Sequence, residues 1–109
     1  MVKTKKIFLN SQGNFHSINI TEQVRDFIQS SGLKEGIVTV IYQHTTGVVM
    51  LYEQEAGVMV DLEDAMNRIF PDDRVFQHHM REVDDNGGSH VRSAFLNTSL
   101  TVPVTDGDL

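Results

Sequence analysis

Hydrophobic and polar positions alternate in distinct ways along this 109-residue chain. Residues 3–10 (KTKKIFLN) and 15–20 (FHSINI) have strand-like composition and are separated by the turn-prone Ser11-Gln12-Gly13-Asn14, which predicts an opening hairpin. Thr21 is then a plausible helix N-cap. Val24, Phe27 and Ile28 recur at helical spacing up to Ser31-Gly32, so a helix is expected over 22–30 with glycine closing its end. The β-branched run 36–43 (GIVTVIYQ) is apolar on both faces, the pattern of a central strand covered on both sides. After His44-Thr45-Thr46-Gly47, residues 48–53 (VVMLYE) read as its partner strand.

Helical spacing returns over 57–70, where Val58, Leu62, Ala65, Met66 and Ile69 form one apolar stripe. Asp61, Glu63, Asp64 and Arg68 supply much of the polar side, and Pro71-Asp72-Asp73 ends the pattern. Residues 74–95 are the least periodic and most polar part of the chain, with a short helix expected over 89–95. A strand follows over 99–104, and Thr105-Asp106-Gly107-Asp108 has the composition of a tight hairpin turn.

The length suits one domain, so separate catalytic and lid domains are not expected. With 39% hydrophobic residues, the chain has enough apolar side chains to fold. It has no cysteine, so a transition-metal site would draw on its five histidines and its carboxylates. The net charge of −6 argues against a nucleic-acid footprint. It is unevenly spread. Residues 1–52 hold five bases and three acids, whereas 53–109 hold four arginines and twelve acids. The basic start lacks the apolar run of a secretory signal and no stretch is long enough to span a membrane, so a cytoplasmic protein without nucleic-acid or membrane partners is expected.

His44, His79 and His90 lie in non-periodic segments, and three neutral imidazoles plus one open position make a recognised catalytic zinc set. Polar loop histidines explain the same positions, since no short ligand pair of helical spacing is present. His78 adjoins His79 and is an alternative ligand, while His16 falls on a predicted edge strand and reads as a surface residue. Glu53 ends an apolar run and needs a partner if buried, and Asp61 sits early in a helix. Asp84-Asp85-Asn86 is either a solvated turn or a source of a carboxylate that orients a histidine or acts as a base. Thr45 and Thr46 could bond turn backbone or substrate oxygens. Arg92 is either a solvated helix residue or an anion ligand.

Taken in order, these pieces resemble the YjbQ-like family, also described as secondary thiamine-phosphate synthase enzymes. The resemblance runs from Ile18-Asn19-Ile20-Thr21 and Ser31-Gly32 through His44-Thr45-Thr46, Glu53 and Asp61. It continues with Phe76-Gln77-His78-His79, Asp84-Asp85-Asn86, His90, Arg92 where lysine is usual, and Thr98-Ser99-Leu100 preceded by Asn97 where glycine is usual. It implies an α+β fold, an antiparallel sheet or sandwich with helices packed on it, forming a single domain over 1–109 that assembles as a homotrimer. It also implies a divalent metal, zinc being the expected ion, on His44, His79 and His90. Glu53, Asp84, Asp85 and Arg92 would be catalytic, and Thr45, Thr46 and Asn86 would bind a small phosphorylated substrate.

The implied reaction transfers a pyrimidine-methyl group from its diphosphate to a thiazole phosphate. The alternatives are a non-catalytic trimeric metal- or ligand-binding protein and a metal-assisted hydrolase of a small phosphorylated or cyclic substrate. Family members continue past the Asp-Gly turn with further strands, so the resemblance predicts that this chain, ending at Leu109, lacks them.

Overall fold

The computed structural model describes residues 1–13, 15–71 and 87–109. In chain order its elements are α1 (Thr21–Ser31), β1 (Gly36–Ile41), α2 (Ala56–Ile69), α3 (Gly87–Phe95) and β2 (Ser99–Val104). They form two compact units, one of residues 1–39 with 101–109 and the other of residues 40–100. Helices and a two-stranded β1–β2 sheet give an α+β fold. The pair is antiparallel: Thr39 Oγ1 meets Thr101 Oγ1 at 2.9 Å, and the Tyr42 amide, just beyond β1, donates to the Thr98 carbonyl at 2.7 Å.

In the first unit, α1 buries Val24 and Ile28, four residues apart on one face. Gly32 closes the helix in the left-handed conformation at φ 77°, as expected of glycine at that position. The N-terminus differs from expectation. Thr21 lies inside the helix and Ile20 is the N-cap, without a side-chain capping bond; the Thr21 amide donates to Asn19 Oδ1 at 2.9 Å. The expected hairpin over 3–10 and 15–20 is absent, because the described residues before α1 form no ladder and are mostly exposed. Strand composition describes a surface suited to a pleated sheet, and it is not expressed where no partner strand satisfies the backbone.

The Asp-Gly turn forms as predicted. Asp106 and Gly107 have φ of 53° and 78°, both left-handed, as a two-residue primed turn requires. Thr105 and Asp108 exchange backbone bonds across it, and Gly107 N–H donates to the Lys34 carbonyl at 3.0 Å. Arg25 on α1 completes this corner, its Nε 2.7 Å from Asp108 Oδ1.

In the second unit, Glu55 caps α2 by accepting from the amides of Gly57 and Val58, each at 2.9 Å. Those two bonds hold its carboxyl below the usual range. Met66 and Phe70 are buried with Val58 and Leu62 half-buried, a line at intervals of four. The expected stripe is thus corrected on one side: Ala65 and Ile69 are exposed, and Phe70 turns inward to meet the Phe95 ring edge-on at 5.6 Å. Residues 48–53 form no strand, although the Val49 amide donates to the Asn97 carbonyl at 3.0 Å. β1 is covered on one face only, since Ile37 and Ile41 on the other are 67% and 60% exposed. Among the described residues no helix is long and apolar enough to cross a membrane.

Candidate functional site

In the second unit, one histidine singled out by sequence, His90, meets the threonine that follows another, His44. His44 lies in the exposed loop after β1, and His90 is half-buried in α3. Thr45, the residue after His44, meets the His90 ring directly: Thr45 Oγ1 lies 3.0 Å from His90 Nδ1. Adjacent Cα atoms are about 3.8 Å apart, so this one contact brings the two histidine-bearing backbones close to each other. The same 44–47 loop is held by α3 a second time, where Ser93 Oγ donates to the Gly47 carbonyl at 2.9 Å. An open pocket of ≈ 310 Å³ lies here, with Thr45, His90, Ser93, Asn97 and Thr98 in its walls.

The chemistry of the pair follows from the Nδ1 contact. If His90 takes a metal, it does so through Nε2, with Nδ1 protonated and donating to the Thr45 hydroxyl. A ligating histidine is ordinarily held this way by a group on its other nitrogen. The aromatic environment of His44 comes from Tyr42, whose ring meets the imidazole edge-on at 5.3 Å. Among the described residues no group of three histidine or carboxylate side chains gathers to hold a metal. His79, its neighbour His78, and Asp84, Asp85 and Asn86 lie outside the described residues.

The remaining expectations divide. Thr45 was expected at turn backbone or substrate oxygens, but it bonds a histidine 45 residues away. Thr46 is exposed in the same loop, and Glu53 is also exposed, so the partner that burial would demand is not required. Asp61 is on the exposed side of α2. Arg92 is corrected in one respect: at 9% exposure it is not a solvated helix residue. Its guanidinium instead donates to the Phe70 carbonyl at 3.4 Å, at the end of α2, and to Ser89 Oγ at 3.3 Å. Ser93, Tyr42 and Gly47 were not anticipated. The only local hint was the three-residue interval between His90 and Ser93, which puts both on one helix face.

An α+β protein with a histidine loop docked on a short helix is the class these features define. The model of the UPF0047 protein YjbQ-like family matches residues 5–109, and the chain belongs to that family. A UPF0047 protein of Methanothermobacter thermautotrophicus is 32% identical over 108 residues, covering 99% of this chain and 74% of that protein. The UPF0047 protein YjbQ of Escherichia coli O157:H7 is 32% identical, over 96% of this chain and 75% of its own length. Among solved structures, a YbjQ-like protein of unknown function from Sulfolobus solfataricus P2 superposes with a TM-score of 0.83 at 29% identity, covering 92% of this chain and 72% of that one. A hypothetical protein of Aeropyrum pernix K1 gives a TM-score of 0.77 at 25% identity over 84% of this chain and 67% of its own.

Proposed function

We propose that this chain forms a metal-dependent enzyme for a small phosphorylated substrate, acting as a cytoplasmic homotrimer. The reaction is transfer of a pyrimidine-methyl group from its diphosphate to a thiazole phosphate. The observation that carries the reading is the 3.0 Å contact between Thr45 Oγ1 and His90 Nδ1 beside an open pocket. It gives His90 the orienting partner of a metal ligand and keeps His44 within one residue of that contact. The donor chemistry fits a divalent ion, zinc first, with His79 as the third ligand.

In the transfer, the lone pair of the thiazole nitrogen forms the new C–N bond while the C–O bond to diphosphate breaks, its electron pair leaving with the diphosphate. His44, His79 and His90 would hold a divalent ion, which would supply positive charge to the departing diphosphate. No proton is removed from the thiazole nitrogen, so Glu53 is assigned to orienting the pyrimidine rather than to acting as a base. Thr46 and Asn86 hold substrate oxygens. Arg92, next to the pocket residue Ser93, contributes a fixed positive charge to the anion, and Asp84 or Asp85 serves as a carboxylate partner to a histidine.

One observation favours a second reading. His44, Thr45 and Thr46 are exposed, so water reaches the loop, and attack by water gives hydrolysis in place of transfer. Elemental analysis of the purified protein, followed by His90→Ala, tests the metal: a stoichiometric divalent ion lost in the variant is expected, and an unchanged content rejects the assignment. Diphosphate release that depends on the thiazole phosphate supports transfer. Equal release without it identifies a hydrolase, and metal binding with no turnover of either kind identifies a binding protein.

A further inference from the structure

We propose that the free edge of β1 pairs with the β1 edge of a second copy of this chain, antiparallel and about a two-fold axis at Thr39, making one continuous four-stranded sheet. Thr39 faces Thr101 and the Tyr42 amide donates to the Thr98 carbonyl, and both contacts fit a single antiparallel register. The backbone groups that a strand sends sideways alternate in direction from residue to residue. Val38 and Val40 therefore turn their N–H and C=O groups to β2, whereas Ile37, Thr39 and Ile41 turn theirs outward. Among the described residues β1 pairs with β2 alone, so this outward row has no backbone partner.

Edge strands are ordinarily guarded by proline, charge or a bulge. β2 has such a guard, since Pro103 falls on its outward row and offers no N–H. β1 has neither a proline nor a charged residue from Gly36 to Ile41. Its outward residues also share the uncovered face, with Ile37 67% and Ile41 60% exposed. What selects a second copy as the partner is the order Ile37, Thr39, Ile41, which is the same in both directions. In an antiparallel pair centred on Thr39, Ile37 meets the partner's Ile41 on each side of the axis and Thr39 meets its own image, so the contact is self-complementary and closes on itself. The antiparallel direction also sets the two Glu35 carboxylates at opposite ends of the ladder, where a parallel pairing would bring them together. Two strands alone make a marginal sheet, and the contact doubles their number. One strand edge buries less than the roughly 800 Å² per partner of a standard interface, so the association is weak and belongs to the micromolar range. It is independent of the metal reading, and acting on the proposed trimer it gives six chains.

Sedimentation equilibrium of the full chain across the micromolar range tests the idea. An even-numbered assembly is expected, two chains or six. Thr39→Pro should halve its mass at unchanged far-UV circular dichroism, because the backbone of position 39 bonds nothing in β2. Two double variants decide the matter if the proline disturbs the fold. Ile37→Lys with Ile41→Glu puts opposite charges face to face across the axis and should keep the assembly, whereas Ile37→Lys with Ile41→Lys should halve its mass. Equal behaviour of the two overturns the proposal. The chain has no cysteine, so Thr39→Cys gives each copy a single thiol at the axis, which a short bis-maleimide should join. Thr101→Cys, roughly 14 Å from its image across three strand spacings of about 4.8 Å, should stay unlinked. Equal cross-linking of both overturns the proposal, as does an odd-numbered wild-type mass at every concentration. If that mass becomes even only when residues 1–10 are deleted, the strand-like N-terminal segment holds the edge instead.

Discussion

Truncating Ile28 to alanine probes the anchor of the first unit. Ile28 is 2% exposed on α1, matched in burial only by Val104 on β2 among the described residues. Ile28→Ala removes three carbons from a site with almost no water contact, a transfer loss of roughly 2.4 kcal/mol at about 0.8 kcal/mol per carbon. The incompletely collapsed cavity adds to this, bringing the expected loss to about 3–4 kcal/mol, inside the range of about 2–5 kcal/mol for such substitutions. A small domain is stable by roughly 5–15 kcal/mol, so the loss is a large share, and the melting temperature should fall on the order of 10–20 °C. Ile37→Ala is the control. Ile37 is 67% exposed, and the same three carbons there should cost below about 1 kcal/mol. Urea and thermal unfolding followed by circular dichroism measure both. Equal destabilisation by the two variants would refute the assignment of Ile28 to the core and of Ile37 to open surface.

The Arg25–Asp108 clasp makes stability depend on acid. Bonding from the Arg25 side chain and the Leu109 amide holds the Asp108 carboxyl below its ordinary value of 3.8, and the same pairing raises Arg25. A depressed carboxyl contributes fully above its unfolded value and loses that contribution as pH falls through its folded value. Wild type should therefore be more stable than Asp108→Asn near neutrality, with the two curves converging as pH drops below the usual carboxylate range. Both side chains are partly exposed, so added salt should shrink the difference. Convergence at high pH instead would sink the idea. Gly107→Ala should destabilise by roughly 1–2 kcal/mol through its left-handed φ of 78°, because the nearest atom to an added Cβ, Lys34 Cδ, is at an ordinary 3.4 Å. A melting temperature equal to wild type would show that the turn relaxes at no cost.

The elements that proved legible are those whose code is local. Val24 and Ile28 followed by Gly32 mark a helix and its stop, and the α2 apolar series and the Asp106-Gly107 pair each carry their conformation in adjacent residues. Residues 3–10, 15–20 and 48–53 misled because β-composition acquires meaning only beside a partner strand, and none pairs with them among the described residues. The inward turn of Phe70 was equally hidden. It depends on Phe95, which comes 25 residues later.

For the site, the residues alone determined which side chains could do chemistry. Without cysteine and with most acids after residue 52, any metal centre had to be built from histidine and carboxylate. The tertiary structure decided which of them meet. Thr45 and His90 are 45 residues apart and Gly47 and Ser93 are 46 apart, and no spacing rule links positions that distant. Only the docking of the loop on α3 turns a threonine into the partner of an imidazole and a helical serine into the support of a glycine carbonyl.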